Sequence, residues 1–67
     1  MKVQIVDVTR RGSKARPLNG GRVKFEIGGG DFRLVAASQF EAQILWVKFL
    51  GTHAEYDRVD VMTVSQF

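Results

Sequence analysis

The alternation of hydrophobic and polar residues along this chain predicts a small antiparallel β-sheet. In residues 22–27, RVKFEI, every second residue is apolar and the residues between them are charged. This period of two is typical of a strand with one buried face. A glycine-rich turn over residues 28–31 then leads into a second strand over residues 32–38, so the pair forms a hairpin.

Three further strands are expected. Residues 1–8 begin with Val3 and Ile5 alternating with polar neighbours, which favours a half-buried strand. Residues 44–50 are apolar on both faces, apart from one lysine, and this predicts a central strand covered on both sides. Trp46 is expected in the core; the alternative is an exposed Trp46 that stacks on a base. Residues 59–64 are interpreted as a short fourth or edge strand.

The predicted fold is α+β leaning mainly β, with an antiparallel sheet of three to five strands and little or no helix. Residues 1–67 form a single small domain, with a strand and basic loop over 1–21 and the sheet and site loop over 22–67. Thr9–Gly21 is expected to be a surface loop because it holds Gly, Asn and the single proline. One helical turn over residues 53–58 is the most that the pattern allows. A sheet with two apolar faces needs a second layer, usually of helices, and the pattern predicts none in this chain. Either the strands curl on themselves, or the second layer belongs to a partner or to a further portion of the protein.

Composition excludes several classes of function. The 67 residues contain no cysteine and one histidine, so no metal site or other cofactor is expected. No apolar run approaches the roughly 18 residues that span a bilayer, and no signal-peptide pattern is present, so the expected location is the cytoplasm. A chain of this length buries only about 60% of its unfolded surface.

Charge is distributed unevenly. Residues 1–24 contain seven basic residues and one acidic residue, a net charge of +6, whereas residues 25–67 carry −3. Clustered Lys and Arg favour a nucleic-acid partner because binding releases counterions from the phosphates. The alternative is a solvated basic arm without a ligand.

Residues 22–60 resemble the HigB family of toxins from bacterial toxin–antitoxin systems, which belong to the RelE/ParE-like group of mRNA-cleaving proteins. The segments that carry the resemblance are RVKFEIGG, FRLV and above all VKFLGTHAEYDRVD. It implies an antiparallel sheet packed on an N-terminal helical hairpin, a helix-turn-helix antitoxin as partner, and cleavage of mRNA, often on the ribosome. Residues 1–21 show no pattern for that hairpin, which indicates a truncated or degenerate member.

The string G-T-H-A-E-Y-D also suggests chemistry from its residue types. Metal-free RNA cleavage needs a base, an acid and cations near the phosphate. Histidine is the residue type whose unperturbed pKa lies nearest neutrality, and His53 is the single histidine. In a helical turn, Tyr56 and Asp57 would lie on the same face as His53. Asp57 would then orient the imidazole, while Tyr56 transfers a proton or stacks on a base. The expected phosphate contacts are basic: Arg33 and Lys48 at the cleaved phosphate, and Arg22, Lys24, Arg58, Arg16 and Lys14 along the RNA.

Each candidate has a simpler interpretation. His53 can be an ordinary loop residue, Tyr56 an aromatic cap on the sheet, and Asp57 a turn former. Glu55 is interpreted as a solvated charge rather than a catalytic base. Lys48 lies in an apolar strand, so its ammonium must reach solvent or meet an anion.

Two functions therefore compete. The first is a HigB-like mRNA interferase, an endoribonuclease with His53 as its acid–base group. The alternative is a non-catalytic interaction module or toxin remnant that binds an antitoxin or forms a homodimer through an uncovered sheet face. A ParE-like gyrase inhibitor shares the fold group, but the histidine-bearing loop disfavours it.

Overall fold

The computed structural model describes residues 2–9 and 14–67. The elements in chain order are β1 (Lys2–Gln4), α1 (Ile5–Thr9), β2 (Lys14–Pro17), a 3-10 turn (Asn19–Gly21), β3 (Arg22–Ile27), β4 (Phe32–Gln39), β5 (Ile44–Thr52) and α2 (His53–Tyr56). The strands form one antiparallel sheet in the order β1-β5-β4-β3-β2. The predicted mainly β, antiparallel fold is confirmed. Met1 and residues 10–13, which belong to the predicted first strand and basic loop, lie outside the described residues.

The three strands with the clearest sequence pattern form the centre of the sheet. β3 pairs with β4 along its whole length, from Arg22 opposite Ala37 to Ile27 opposite Phe32. The turn between them holds three glycines with positive φ, 65°, 69° and 99°, which residues with a Cβ rarely adopt. β5 runs two residues beyond its predicted end at Leu50, because the pairing with β4 continues to Thr52.

A β-bulge in β5 changes which face its residues occupy. Val35 pairs with Phe49 and the next residue, Ala36, pairs with Val47, so Lys48 is left as the extra residue. Neighbouring residues of β4 point to opposite faces, and so do their partners. Val47 and Phe49 are therefore buried on opposite sides of the sheet, which simple alternation does not predict.

One face, called the core face here, packs against α1. Its buried residues are Val8, Val23, Phe25, Leu34, Ala36, Leu45 and Val47. The prediction of a strand over residues 1–8 is wrong beyond Gln4, because the helix begins at Ile5. A strand would place Ile5 and Val8 on opposite faces, whereas one helical turn places both against the sheet.

The opposite face, called the site face here, carries Arg22, Lys24, Val35 and Phe49. Its second layer is made by α2 and residues 57–67 of the same chain, and Val35 is fully buried beneath it. Gln66 donates its backbone N–H to Lys48 O at 2.7 Å, beyond the stretch of β5 that pairs with β1.

The predicted strand over residues 59–64 is wrong. Asp60 accepts hydrogen bonds from backbone N–H groups that a strand would donate to a neighbouring strand. Its Oδ1 accepts from Met62 N at 2.9 Å, and its carbonyl oxygen accepts from Val64 N at 2.8 Å. Aspartate favours such local turns over extended pairing. Instead of extending the sheet, the segment is held to the site face by Arg22, which donates to the carbonyl oxygens of Val61 and Val64.

Strand β2 lies within the predicted surface loop, and the prediction that Trp46 is in the core is wrong. All four residues of β2 are exposed, so its hydrophobic pattern is uninformative, and Pro17 is tolerated because the strand lies at the sheet edge. Trp46, predicted as core, is 39% exposed on the site face, opposite Ala37. Within the described part of the chain, no helix is both long and apolar enough to cross a membrane.

Candidate functional site

A capping box fixes the turn that carries His53. Thr52 ends β5 and caps α2: its Oγ1 accepts from Glu55 N at 3.2 Å, and its backbone N–H donates to Glu55 Oε1 at 2.9 Å. His53 N also donates to Asp31 O at 3.3 Å, which ties the turn to the β3–β4 hairpin. The three-residue spacing of Thr52 and Glu55 therefore forms a capping box, and this cap holds His53 at the end of β5.

The structure brings His53 and Asp57 together. Nδ1 of His53 lies 3.7 Å from Oδ2 of Asp57, four residues later along α2 and its C-cap. This separation is longer than a hydrogen bond, so the contact is a charge interaction when the ring is protonated. Both side chains are exposed, at 55% and 62%, and solvent therefore weakens the interaction.

Tyr56 connects this turn to the basic part of the sheet. Its ring packs at a tilt on Phe49, with the ring centroids 6.4 Å apart. Lys24 Nζ lies over the Tyr56 ring, 5.6 Å from its centroid, within the range of a cation–π interaction. Tyr56 is half-buried, so it both caps the sheet and remains accessible.

Beyond Lys24, the outer two strands form a groove, called the β2–β3 basic groove here. It has a volume of about 450 Å³ and is lined by Lys14, Ala15, Arg16, Lys24 and Glu26. Arg16 lies directly opposite Lys24, and Lys14 lies opposite Glu26. The three basic residues therefore share the site face, and Lys24 lies both in this groove and against Tyr56.

Arg33 is engaged in the fold. It is 8% exposed, and its Nη2 lies 3.2 Å from Glu26 Oε1. Its Nη1 donates to the carbonyl oxygens of Gly30 and Phe32, which closes the hairpin turn. The guanidinium thus neutralises a neighbouring carboxylate and ties down the turn that also receives His53 N.

Arg22 is engaged in a similar way with the segment that follows α2. Its Nη1 donates to Val61 O at 3.0 Å and to Val64 O at 2.8 Å. Of the remaining candidates, Lys48 is half-buried at the bulge and Arg58 is exposed just after α2. The structure therefore separates the predicted cations. Arg22 and Arg33 hold the chain; Lys14, Arg16 and Lys24 line the groove; Lys48 and Arg58 lie at the bulge and just after α2.

The sequence predicts that Glu55 is a solvated surface charge rather than a catalytic base. It is exposed, but it also serves as the capping residue, a role that the Thr-x-x-Glu spacing could have revealed. The pKa of Glu55 is lowered from its ordinary value of 4.5, chiefly by the backbone hydrogen bond from Thr52 and next by the side-chain hydrogen bond with Thr52. The positive charge of Arg58 lowers this pKa further. Glu55 is accordingly a carboxylate at neutral pH and a poor proton acceptor there.

Comparison with known proteins gives one family. Residues 3–59 match the family model described as HigB toxin, the RelE-like toxic component of a toxin–antitoxin system. Searches of curated proteins and of solved structures found no significant match. The matched region includes α1, all of the sheet except Lys2, and the His53–Asp57 turn. Because the match covers most of the 67 residues, the chain belongs to the HigB family of RelE-like toxins.

Proposed function

We propose that this toxin is an endoribonuclease that cleaves messenger RNA without a metal ion, with His53 as its acid–base group. One observation carries the proposal. The capped turn at the end of β5 presents an imidazole paired with a carboxylate, and Tyr56 in the same turn contacts Lys24 of the basic strand. Proton-transferring groups and positive charge thus meet at one edge of the site face, which suits a polyanionic substrate.

The reaction class is attack of an RNA 2′-hydroxyl on its neighbouring phosphate. His53 removes the 2′-hydroxyl proton, the 2′ oxygen bonds to phosphorus, and the bond from phosphorus to the 5′ oxygen breaks. Tyr56 delivers a proton to that leaving oxygen, and solvent restores both side chains. The products are a 2′,3′-cyclic phosphate and a 5′-hydroxyl end. Asp57 stabilises the positive charge that forms on the imidazole during the step.

Tyr56 acts through its hydroxyl in this proposal. Lys24 lies over its ring, and Phe49 packs against the ring at a tilt. A base that stacked on Tyr56 would have to displace the Lys24 ammonium. The hydroxyl is the part of Tyr56 that can serve the reaction while these contacts persist.

The cations divide between substrate and fold. Lys24 neutralises RNA charge next to Tyr56, and Arg58, Arg16 and Lys14 extend the positive surface on either side. Lys48 approaches the RNA from the bulge. Arg22 and Arg33 support the reaction by holding the C-terminal segment and the hairpin turn, since their guanidinium groups already have partners in the protein.

A toxin of this family implies an antitoxin partner. The resemblance also implies cleavage on the ribosome, and this dependence is part of the proposal. A comparison of the same messenger as free RNA and during translation measures it. Faster cleavage of the translated messenger is the expected result.

Product analysis tests the reaction class. Purified protein is incubated with free messenger RNA in excess EDTA and, separately, with messenger RNA undergoing translation without EDTA. Cleavage fragments with 2′,3′-cyclic phosphate and 5′-hydroxyl ends are expected. Fragments with 5′-phosphate ends, or cleavage that stops when divalent ions are chelated in a ribosome-free assay, would contradict the mechanism.

An apolar hollow supports a second candidate function, binding without catalysis. It has a volume of about 280 Å³ and lies on the core face, lined by apolar residues of α1, β2, β3 and β5 together with Phe40, which is 63% exposed. An antitoxin segment or a second copy of this chain would bury it. Sedimentation at micromolar concentration separates the candidates: a monomer that cuts RNA supports the enzyme, and a tight dimer that does not cut supports the module.

A further inference from the structure

We propose that the β2–β3 basic groove is a subsite for single-stranded RNA, in which Arg16 and Lys24 bind the phosphate next to the one that is cleaved. The inference rests on the proposed function and deepens it, because it assigns one part of the substrate to one pair of side chains. The groove lies on the same face as Tyr56 and leads from it to the edge of the sheet.

The pairing of Arg16 with Lys24 is the first observation. They lie directly opposite each other on neighbouring antiparallel strands, so their Cβ atoms are about 5 Å apart. Like charges in this position repel each other and destabilise the strand pair. A phosphate bound between them replaces the repulsion with two favourable interactions. The arrangement is thus one that an anion would stabilise.

The location of the pair relative to the reaction site is the second observation. Lys24 Nζ lies 5.6 Å from the centre of the Tyr56 ring, and Arg16 is on the next strand outwards. Strands are spaced by about 4.8 Å, so Arg16 is one strand farther from Tyr56 than Lys24. An RNA strand that crosses from Tyr56 to the sheet edge therefore meets the Arg16–Lys24 pair directly after the reacting group.

The neighbouring lysine shows why the pair, rather than the whole groove, is the subsite. Lys14 lies on the same strand and the same face as Arg16, but it is opposite Glu26, whose charge is of the opposite sign. Lys14 thus shares a carboxylate with Arg33, whereas Arg16 lies opposite a second cation. Both residues are exposed on an edge strand, so each can be replaced with little effect on the core. Lys14 is consequently a matched control for Arg16.

The first experiment measures binding of a single-stranded 2′-O-methyl oligonucleotide, which lacks the attacking hydroxyl and cannot be cleaved. Dissociation constants are measured against salt concentration for wild type, Arg16→Gln and Lys14→Gln. Loss of one phosphate contact reduces the slope of log K against log salt by about 0.7 for single-stranded nucleic acid. We expect this reduction for Arg16→Gln and a smaller one for Lys14→Gln. Equal reductions in the two variants would overturn the assignment.

The second experiment places the contact within the substrate. Two sets of short RNAs carry one neutral methylphosphonate, either on the 5′ or on the 3′ side of the cleaved phosphate. In wild type, one of the two substitutions should raise KM by up to about fivefold, the size of effect expected for an exposed charge pair. The value of kcat should not change, because the contact is made equally in the ground state and the transition state. In Arg16→Gln, the same substitution should have no further effect.

The outcomes separate the subsite from the reaction itself. If the methylphosphonate raises KM equally in wild type and in Arg16→Gln, the subsite inference is wrong while the ribonuclease proposal stands. If wild type cleaves neither these RNAs nor a translated messenger, the proposed function fails, and the salt dependence measured with the uncleavable oligonucleotide still decides whether Arg16 contacts a phosphate.

Discussion

At the scale of single residues, the neighbours of a charged side chain determine its role more than its residue type does. Arg33 and Arg16 are both arginines on the site face, and both are predicted from the sequence to contact RNA. Arg33 is buried against Glu26 and two backbone carbonyls, whereas Arg16 is exposed and opposite another cation. The first stabilises the hairpin, and the second is available to an anion.

Asp57 is expected to contribute modestly to catalysis. Its carboxylate lies 3.7 Å from His53, but both groups are more than half exposed, so their interaction is screened. Replacement Asp57→Asn should lower kcat by about two- to fivefold with KM unchanged, the effect of losing up to about 1 kcal/mol of charge stabilisation. Steady-state RNA cleavage measures this. Asp31→Asn, an exposed acid that contacts the turn only through its backbone, is the control. An equal loss in both variants would contradict the role of Asp57.

Glu55 makes the stability of the turn depend on pH. The pKa of Glu55 is lower in the folded protein than its ordinary value of 4.5, chiefly because of the backbone hydrogen bond from Thr52. The carboxylate therefore stabilises the fold above pH 4.5, and this stabilisation is lost as the pH falls below that value. The thermal unfolding temperatures of wild type and Glu55→Gln should differ at pH 7, and the difference should shrink as the pH falls below 4.5. A difference that stays constant with pH would refute the capping role of the charge.

At the scale of elements, Gly51 sets how closely α2 follows β5. A Cβ at this position would lie 2.8 Å from Phe49 Cζ and 3.0 Å from Glu55 Oε1, so the buried ring and the capping carboxylate would both have to move. Gly51→Ala should reduce the free energy of unfolding by about 1–3 kcal/mol, the range for overpacking. Because Tyr56 packs on Phe49, RNA cleavage should fall as well. Urea unfolding and cleavage assays measure the two effects.

The control for this substitution is Gly29→Ala in the β3–β4 turn. Gly29 has a φ of 69°, so alanine strains the backbone there, but a Cβ would meet no atom within 4 Å. It should cost about 1 kcal/mol of stability and leave the rate of cleavage by folded protein unchanged. If Gly29→Ala lowered that rate as much as Gly51→Ala, the loss would not be specific to the α2 turn.

The sequence predicts elements well where burial on one face imposes alternation. β3 shows that alternation, β4 follows it across a glycine-rich turn, and β5 is strongly apolar, so all three strands are recognisable. β2 is fully exposed, and its extended shape comes from pairing with β3, which leaves no hydrophobic signal. The bulge at Lys48 is likewise invisible, because it depends on the register between β4 and β5.

The same limit applies to the candidate site. The spacing of His53 and Asp57 predicts their proximity, since contacts within one helical turn follow from local geometry. The engagement of Arg22 by Val61 and Val64 joins residues about 40 positions apart and cannot be read from local spacing. The contact between Lys24 and Tyr56 likewise depends on how α2 packs across the sheet.

At the scale of the whole molecule, the segment after α2 provides the second layer that the sequence pattern did not predict. Arg22 holds it by donating to two carbonyl oxygens, and Gln66 binds the backbone of β5. Arg22→Gln should lower the free energy of unfolding by about 1–3 kcal/mol, the range for hydrogen bonds from a charged donor. Urea unfolding measures the loss.

Arg58→Gln is the control for Arg22, because Arg58 is exposed and its charge is removed without loss of such a tether. Stability should change by no more than about 0.5 kcal/mol in this variant. If Arg58→Gln destabilised the protein as much as Arg22→Gln, net charge rather than the tether would explain the effect.

The central claim is that His53, held by the capped turn at the end of β5, transfers the proton in RNA cleavage. The most direct test compares cleavage of a translated messenger by wild type and His53→Ala, with circular dichroism and thermal unfolding to verify the fold. Because His53 is exposed, we predict an unchanged fold and a loss of cleavage of at least about 100-fold, the usual contribution of a general acid or base. Cleavage by His53→Ala at the wild-type rate would contradict the account.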